Sequence, residues 1–182
     1  MRIGLMRHFP VREPWPKGWL TSVHLQQWRE RYDASEAIVS PIAPHPIRWQ
    51  RCLSSDLKRA FVTAQAAFPG PIHQTPLLRE PETPPFATGK LLLPFWTWRV
   101  LLRLAWFTGH KSQRAARDDF HRRVRAVTDL LEQEPVDTLV VSHAGMMFFL
   151  RAELLRRGFA GSKFRLAEPA RLYVFERAVK QA

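Results

Sequence analysis

The chain has 182 residues and 46% hydrophobic content, enough for one well-buried core and most simply read as a single domain over residues 1–182. Its one cysteine, Cys52, excludes an internal disulfide and suits a reducing, cytoplasmic setting. Lys and Arg number 28 against 16 Asp and Glu, a formal charge of +12 that favours anionic partners without choosing among phosphate esters, nucleic acid and acidic lipid.

The N-terminal run is too short before charge intervenes to be a signal peptide. Instead Ile3 to Met6 predicts a buried strand ending at Arg7-His8 ahead of Pro10. Thr21 or Ser22 can cap a helix running to about Tyr32. Ser40 to Pro46, with three prolines, predicts a loop.

Arg51 to Ser54 predicts a brief strand, and Leu57 to Phe68 a helix with Leu57, Ala60, Phe61 and Ala64 on one side and Ser54, Ser55 and Asp56 as its cap. Pro69-Gly70-Pro71 ends it, and the Pro-rich stretch holding Arg79, Glu80 and Glu82 predicts only loop.

Leu91 to Phe107 is densely apolar and contains Trp96, Trp98 and Trp106, but Arg99 and Arg103 interrupt it, so a spanning helix is disfavoured. It predicts a helix packed over a cleft, with residues 84–111 as a cap or insertion, or buried in a homodimer interface. An interfacial membrane-binding helix is the competing use of the same residues.

Ser112 to Glu134 predicts a polar helix with Phe120, Val124, Val127 and Leu131 as its inner stripe. Thr138 to Val141 predicts a strand leading to Ser142-His143, a helix follows from Gly145 to Arg157 with Gly158 as its left-handed stop, and Arg171 to Glu176 can add a last strand. This alternation predicts an α/β three-layer sandwich, a mainly parallel central sheet flanked by helices. Such a sheet would gather His8, the Ser55 to Arg59 turn and His143 at the carboxyl ends of its strands.

Gathered there, these residue types suit phosphoryl transfer. An imidazole neutral near pH 7 is a good nucleophile when one ring nitrogen is held protonated, the role read for His8. The dianionic phosphoryl group needs fixed donors and positive charge, which Arg7, Arg59 and His143 would supply, arginine through its planar fork. A carboxylic acid kept protonated by burial can serve the leaving oxygen; Glu80 is the candidate, with Glu82 behind it. The other histidines, and Arg12, read as ordinary surface or core residues.

Four ordered segments resemble the histidine phosphatase superfamily, the phosphoglycerate-mutase-like family. Leu5-Met6-Arg7-His8 resembles its opening Arg-His-Gly motif, and Ser54 to Ala60 with Thr63-Ala64 its second-arginine signature. Leu78-Arg79-Glu80 resembles the acid/base segment, and Val140 to Gly145 the second-histidine motif. The resemblance frames Met1 to about Leu150. It implies a phosphohistidine on His8, phosphate held by Arg7, Arg59 and His143, proton transfer by Glu80, no metal or other cofactor, and a small phosphate ester as partner.

Phe9 stands where that family usually has glycine, Ala144 replaces a common glycine, and the Trp-Glu-Gly pattern after Glu80 is missing. The leading expectation is a metal-independent phosphomonoester hydrolase. A phosphoglycerate-mutase-type phosphotransferase is the nearest alternative, and a non-catalytic phosphate- or nucleic-acid-binding module the one from another class. No specific nucleic-acid motif is present to support the last.

Overall fold

The computed structural model describes residues 1–178. In chain order they form β1 (Arg2–Arg7), β2 (Trp19–Leu20), α1 (Ser22–Ala34), β3 (Arg51–Ser55), α2 (Lys58–Ala67), β4 (Ile72–Thr75), a 3-10 turn (Pro76–Leu78), β5 (Leu93–Pro94), α3 (Phe95–Thr108), α4 (Arg114–Gln133), β6 (Thr138–Ser142), α5 (Ala144–Arg156), β7 (Ala160–Gly161) and β8 (Leu172–Glu176).

Six strands make one sheet in the order β4-β3-β6-β1-β8-β7; β4, β3, β6 and β1 are mutually parallel, and β8 and β7 add antiparallel. Alternating side chains serve both faces, as strand geometry requires. Ile3, Leu5, Leu53 and Val140 meet the inner stripes of α4 and α5. Met6, Cys52, Leu139 and Val141 meet Ala60 and Ala64 of α2. Strands buried on both faces explain the unbroken apolar runs of β6 and β1. The fold is the expected α/β sandwich, with the sheet mixed and mostly parallel.

Gly4 shows how tightly the second face closes, because a Cβ there would lie 2.7 Å from the Trp49 ring. Cys52 is a core side chain whose burial pushes its thiol up to about 12. A third apolar cluster, Leu25, Phe95, Trp98 and Leu102 with Leu20, Trp28, Phe86 and Leu93 around it, joins α1 to α3 apart from the sheet.

Two expectations need correction. The stretch after Pro71 is not only loop: Ile72–Thr75 is an edge strand in register with Cys52–Ser55, and the 3-10 turn follows it. Its signal is weak because His73 and Gln74 are exposed, as an edge strand permits. Nor do Ser54, Ser55 and Asp56 cap α2. Both serines lie within β3, Asp56 pairs with Arg79 at 2.6 Å, and Leu57 occupies the cap position with no side-chain bond. Thr21 does cap α1, in a reciprocal box with His24.

Candidate active site

The four parallel strands each deliver one of the expected residues. β1 ends at Arg7-His8, β3 runs into the first turn of α2 and Arg59, β6 into His143 at the cap of α5, and β4 through its 3-10 turn to Glu80. Register pairs Arg7 with Ser142 and Ser55 with Thr75, so the strand ends are level. The residues that converge are His8, His143, Arg59, Arg7 and Glu80, and the first three are only 4, 2 and 2% exposed.

His8 is held at both ring nitrogens. Its backbone N–H donates to Ser142 O at 2.9 Å, and Nδ1 makes a short contact to Phe9 O. A carbonyl only accepts, so Nδ1 carries the proton and Nε2 keeps its lone pair. Arg59 Nε donates to that Nε2 at 3.3 Å. Desolvation, followed by the charge of Arg59, lowers the His8 pKa to about 3, with Arg7 adding to the effect. The ring is therefore neutral at pH 7.

His143 lies edge-on to His8, ring centroids 4.9 Å apart. Its Nε2 is 2.9 Å from Ser55 Oγ, which also accepts from Leu57 N at 3.4 Å. A hydroxyl has one proton and two lone pairs, so Ser55 can donate to Nε2 while accepting from Leu57 N, the arrangement in which Nδ1 carries the ring proton. Burial, followed by the repulsion that would arise if His8 and His143 were both protonated and by the charge of Arg59, holds the His143 pKa well below its usual range.

Five buried side-chain polar atoms lack a hydrogen-bond partner among the described residues, and three belong to this group: Arg7 Nε, Arg59 Nη1 and His143 Nδ1. Unsatisfied buried polar groups cost about 1–3 kcal/mol each, and two of these three are guanidinium nitrogens that can only donate, so their gathering beside one imidazole suits an anion. Arg59 Nη1 does approach Asp33 Oδ1 at 3.0 Å, but as an ion pair whose angle is not that of a hydrogen bond. Arg7 spends one guanidinium nitrogen on Ala167 O at 2.9 Å.

Glu80 sits on the amino end of α5. Gly145 N donates to both carboxylate oxygens, at 3.0 and 3.2 Å. That approach requires glycine: a Cβ on residue 145 would stand 2.6 Å from Glu80 Oε1 and 3.1 Å from Pro81. Desolvation raises the Glu80 pKa, opposed by the Gly145 N–H and by the charge of Arg7. Ser142 Oγ donates to Leu78 O at 2.7 Å and Arg123 donates to Arg79 O at 2.9 Å, pinning the segment that carries Glu80. Glu82 is exposed, and Arg12 pairs with Glu36 at the surface.

Phe9 turns into the protein and is 0% exposed. Its N–H donates to Thr63 Oγ1 at 2.9 Å, and that hydroxyl donates to Arg59 O at 2.7 Å, so Thr63 ties the His8 loop to the helix bearing Arg59. Sequence reasoning missed Tyr32 and Asp33 on the last turn of α1. The Tyr32 ring lies 5.1 Å from the Arg59 guanidinium carbon and Asp33 forms the ion pair above. Only the packing of α1 on α2 brings them there, and no local motif signals it.

Among the described residues no cluster of three or more His, Cys, Asp or Glu stands in a metal-ligating arrangement, and no helix is long and apolar enough to cross a membrane.

The model of the histidine phosphatase superfamily, branch 1, matches residues 35–181, a span containing Arg59, Glu80 and His143 and beginning after His8. Solved structures of similar shape include a candidate α-ribazole-5′-P phosphatase of Escherichia coli K-12, at 23% identity over 85% of this chain and 79% of that one, TM-score 0.47. A mycobacterial glucosyl-3-phosphoglycerate phosphatase aligns at 19% identity over 85% and 79%, TM-score 0.48. Phosphoserine phosphatase of Entamoeba histolytica, solved with 3-phosphoglyceric acid, aligns at 19% over 85% and 80%, TM-score 0.46. No curated protein sequence matches the chain. With most of its length matched by the family model, and its motifs folded into one cationic site, the chain belongs to the histidine phosphatase superfamily.

Proposed function

We propose that the protein is a metal-independent phosphomonoester hydrolase working through a phosphohistidine on His8. The observation that carries this reading is the set of nitrogens on Arg7, Arg59 and His143 without a hydrogen-bond partner, gathered around an imidazole whose Nε2 is unprotonated. A phosphate dianion supplies the acceptors that the donors among them lack, and positive charge fixed before binding stabilises the equatorial oxygens as the transition state forms.

The sequence of steps follows from where the protons sit. His8 Nε2 attacks phosphorus while the bond to the alcohol oxygen breaks. The Glu80 carboxyl, whose pKa desolvation raises, passes a proton to that oxygen when it reacts in its protonated form. The resulting carboxylate takes a proton from water as the water oxygen attacks the phosphohistidine, which returns His8 to its neutral form, the Glu80 proton to its place, and releases inorganic phosphate. Phe9 O, accepting from Nδ1, orients the ring throughout.

Within a single domain of residues 1–182, segment 84–111 acts as the cap, supported by the separate apolar cluster that binds it to α1. The test is phosphate release from an aryl phosphate in the presence of a chelator, with acid-labile phosphoenzyme trapped in parallel. Turnover and labelling that both vanish in His8→Ala support the reading. Absence of both across a broad ester panel sinks it and leaves a phosphate-binding protein.

A further inference from the structure

Helix α3 is apolar on two faces. Phe95, Trp98, Leu102, Ala105 and Trp106 are buried. Opposite them Trp96, Val100, Leu104 and Phe107 are 56–62% exposed. Spaced by four, four and three residues, these side chains leave the helix within a sector of about 80° and form a continuous stripe. A surface helix ordinarily keeps one apolar stripe and turns polar residues outward, and a contiguous exposed patch marks a place of interaction. The β2–β5 ribbon extends the patch, pairing Trp19, 66% exposed, with Pro94 at the cap of α3.

Charge decides what covers it. From Glu82 to Asp118 the chain holds no acidic residue between, but it does hold Lys90, Arg99, Arg103, Lys111, Arg114 and Arg117. Arg99 lies over Trp96 and Trp15, 4.6 and 4.7 Å from their ring centroids, so cation and aromatic are interleaved on one surface. A second copy is a poor occupant. A two-fold interface through this face would bring the Arg99 and Arg103 pair of one copy near the same pair of the other, with no acid in the segment to separate them.

We propose that the outer face of α3 docks on the surface of an anionic lipid bilayer. Exposed Trp and Phe suit the boundary between headgroups and acyl chains, Leu and Val enter below it, and the arginines meet the headgroup phosphates. Ring contacts Trp96–Trp15 at 6.4 Å and Trp15–Tyr32 at 6.1 Å, followed by Tyr32 on Arg59, join this face to the phosphate site. Docking is separable from hydrolysis and does not depend on it.

The experiment is co-sedimentation of the full chain with vesicles of phosphatidylcholine alone or mixed equally with phosphatidylglycerol, at physiological salt, with tryptophan emission as second readout. The wild type is expected to sediment with the mixed vesicles and shift its emission to the blue. The pair Trp96→Ser and Leu104→Ser, which keeps every charge, should weaken binding more than about tenfold, as should the independent pair Val100→Ser and Phe107→Ser. Arg103→Glu should do the same, whereas Arg122→Glu on the outer face of α4 changes net charge equally and should stay within about twofold of wild type. Circular dichroism verifies that each variant is folded. Three results overturn the proposal: no sedimentation of the wild type, serine pairs that bind like wild type, or a wild-type dimer that the serine pairs convert to monomer.

Discussion

Arg59 Nε points at His8 Nε2, the nitrogen that would attack phosphorus, from 3.3 Å. In the free protein the guanidinium thus occupies the lone pair and suppresses protonation of the ring, and a bound phosphate would offer the same guanidinium stronger acceptors. Arg59→Lys keeps a charge but loses the fork, and the ion pair between buried Arg59 and partly exposed Asp33 loses its geometry. We expect kcat/KM to fall by about a hundredfold to a thousandfold, measured by steady-state phosphate release, with the fold retained.

The depressed His8 pKa sets the acid side of the rate profile. With its value at about 3, the nucleophile stays unprotonated far below the ordinary 6.5, so the acid limb of kcat/KM attributable to His8 should lie near pH 3. Arg59→Ala removes one of the charges that lower it and should move that limb upward. The ester's own second ionisation, at about 6, adds a limb shared by every variant, so the contradiction would be a limb near the ordinary histidine value that shifts in Arg59→Ala.

Stability carries a linked signature. His8 and His143 have folded pKa values below the unfolded value near 6.5, so on acidification the unfolded chain takes up their protons first. Their contribution is complete above about pH 6.5 and is lost progressively as pH falls from there toward the folded values. Glu80 acts in the opposite sense: its raised pKa favours the folded state below the ordinary 4.5 and that contribution disappears as pH rises through the folded value. Two imidazoles against one carboxyl leave a net loss between pH 6.5 and 4.5. Urea melts at pH 7 and pH 5 should show it, and His8→Asn should flatten the dependence.

Glu80→Gln should impair hydrolysis of alkyl phosphates far more than of aryl phosphates, because a good leaving group departs without a proton. Gly145→Ala reaches the same group indirectly. Its Cβ would meet Glu80 Oε1 at 2.6 Å and Pro81 at 3.1 Å, forcing the carboxyl off the α5 amides. The expected result is a similar leaving-group dependence, read by comparing kcat on the two ester classes.

Phe9→Gly, which restores the residue common in this family, should destabilise the protein by about 3–5 kcal/mol, the range for emptying a fully buried phenyl site. Thr63→Val should cost about 1–3 kcal/mol by stranding the Phe9 N–H, read by chemical denaturation.

Reading the chain alone was enough where the physics is local. Apolar runs closed by a charge or a proline marked β1 and β6, the 3.6-residue period marked α4, and ordered motifs named His8, Arg59, Glu80 and His143 as a set. Strand β4 escaped because an edge strand buries too little to show an apolar pattern, although it is the element that carries Glu80 toward α5. The fate of Phe9 was equally illegible, since a phenyl beside a catalytic loop can face either way until the space around it is known.

Residue types and spacing by themselves determined the fold class, the family and the identity of the groups that could handle phosphate, because propensity, periodicity and chemistry are written along the chain. Tertiary structure alone decided which groups those residues face. Asp33 and Tyr32 on Arg59, Thr63 between Phe9 and Arg59, Glu80 on the Gly145 amide and Ser55 on His143 are all contacts between elements. Desolvation and charge act through such distances in space, so the lowered pKa of His8 and the raised pKa of Glu80 exist only once the strand ends have been brought level.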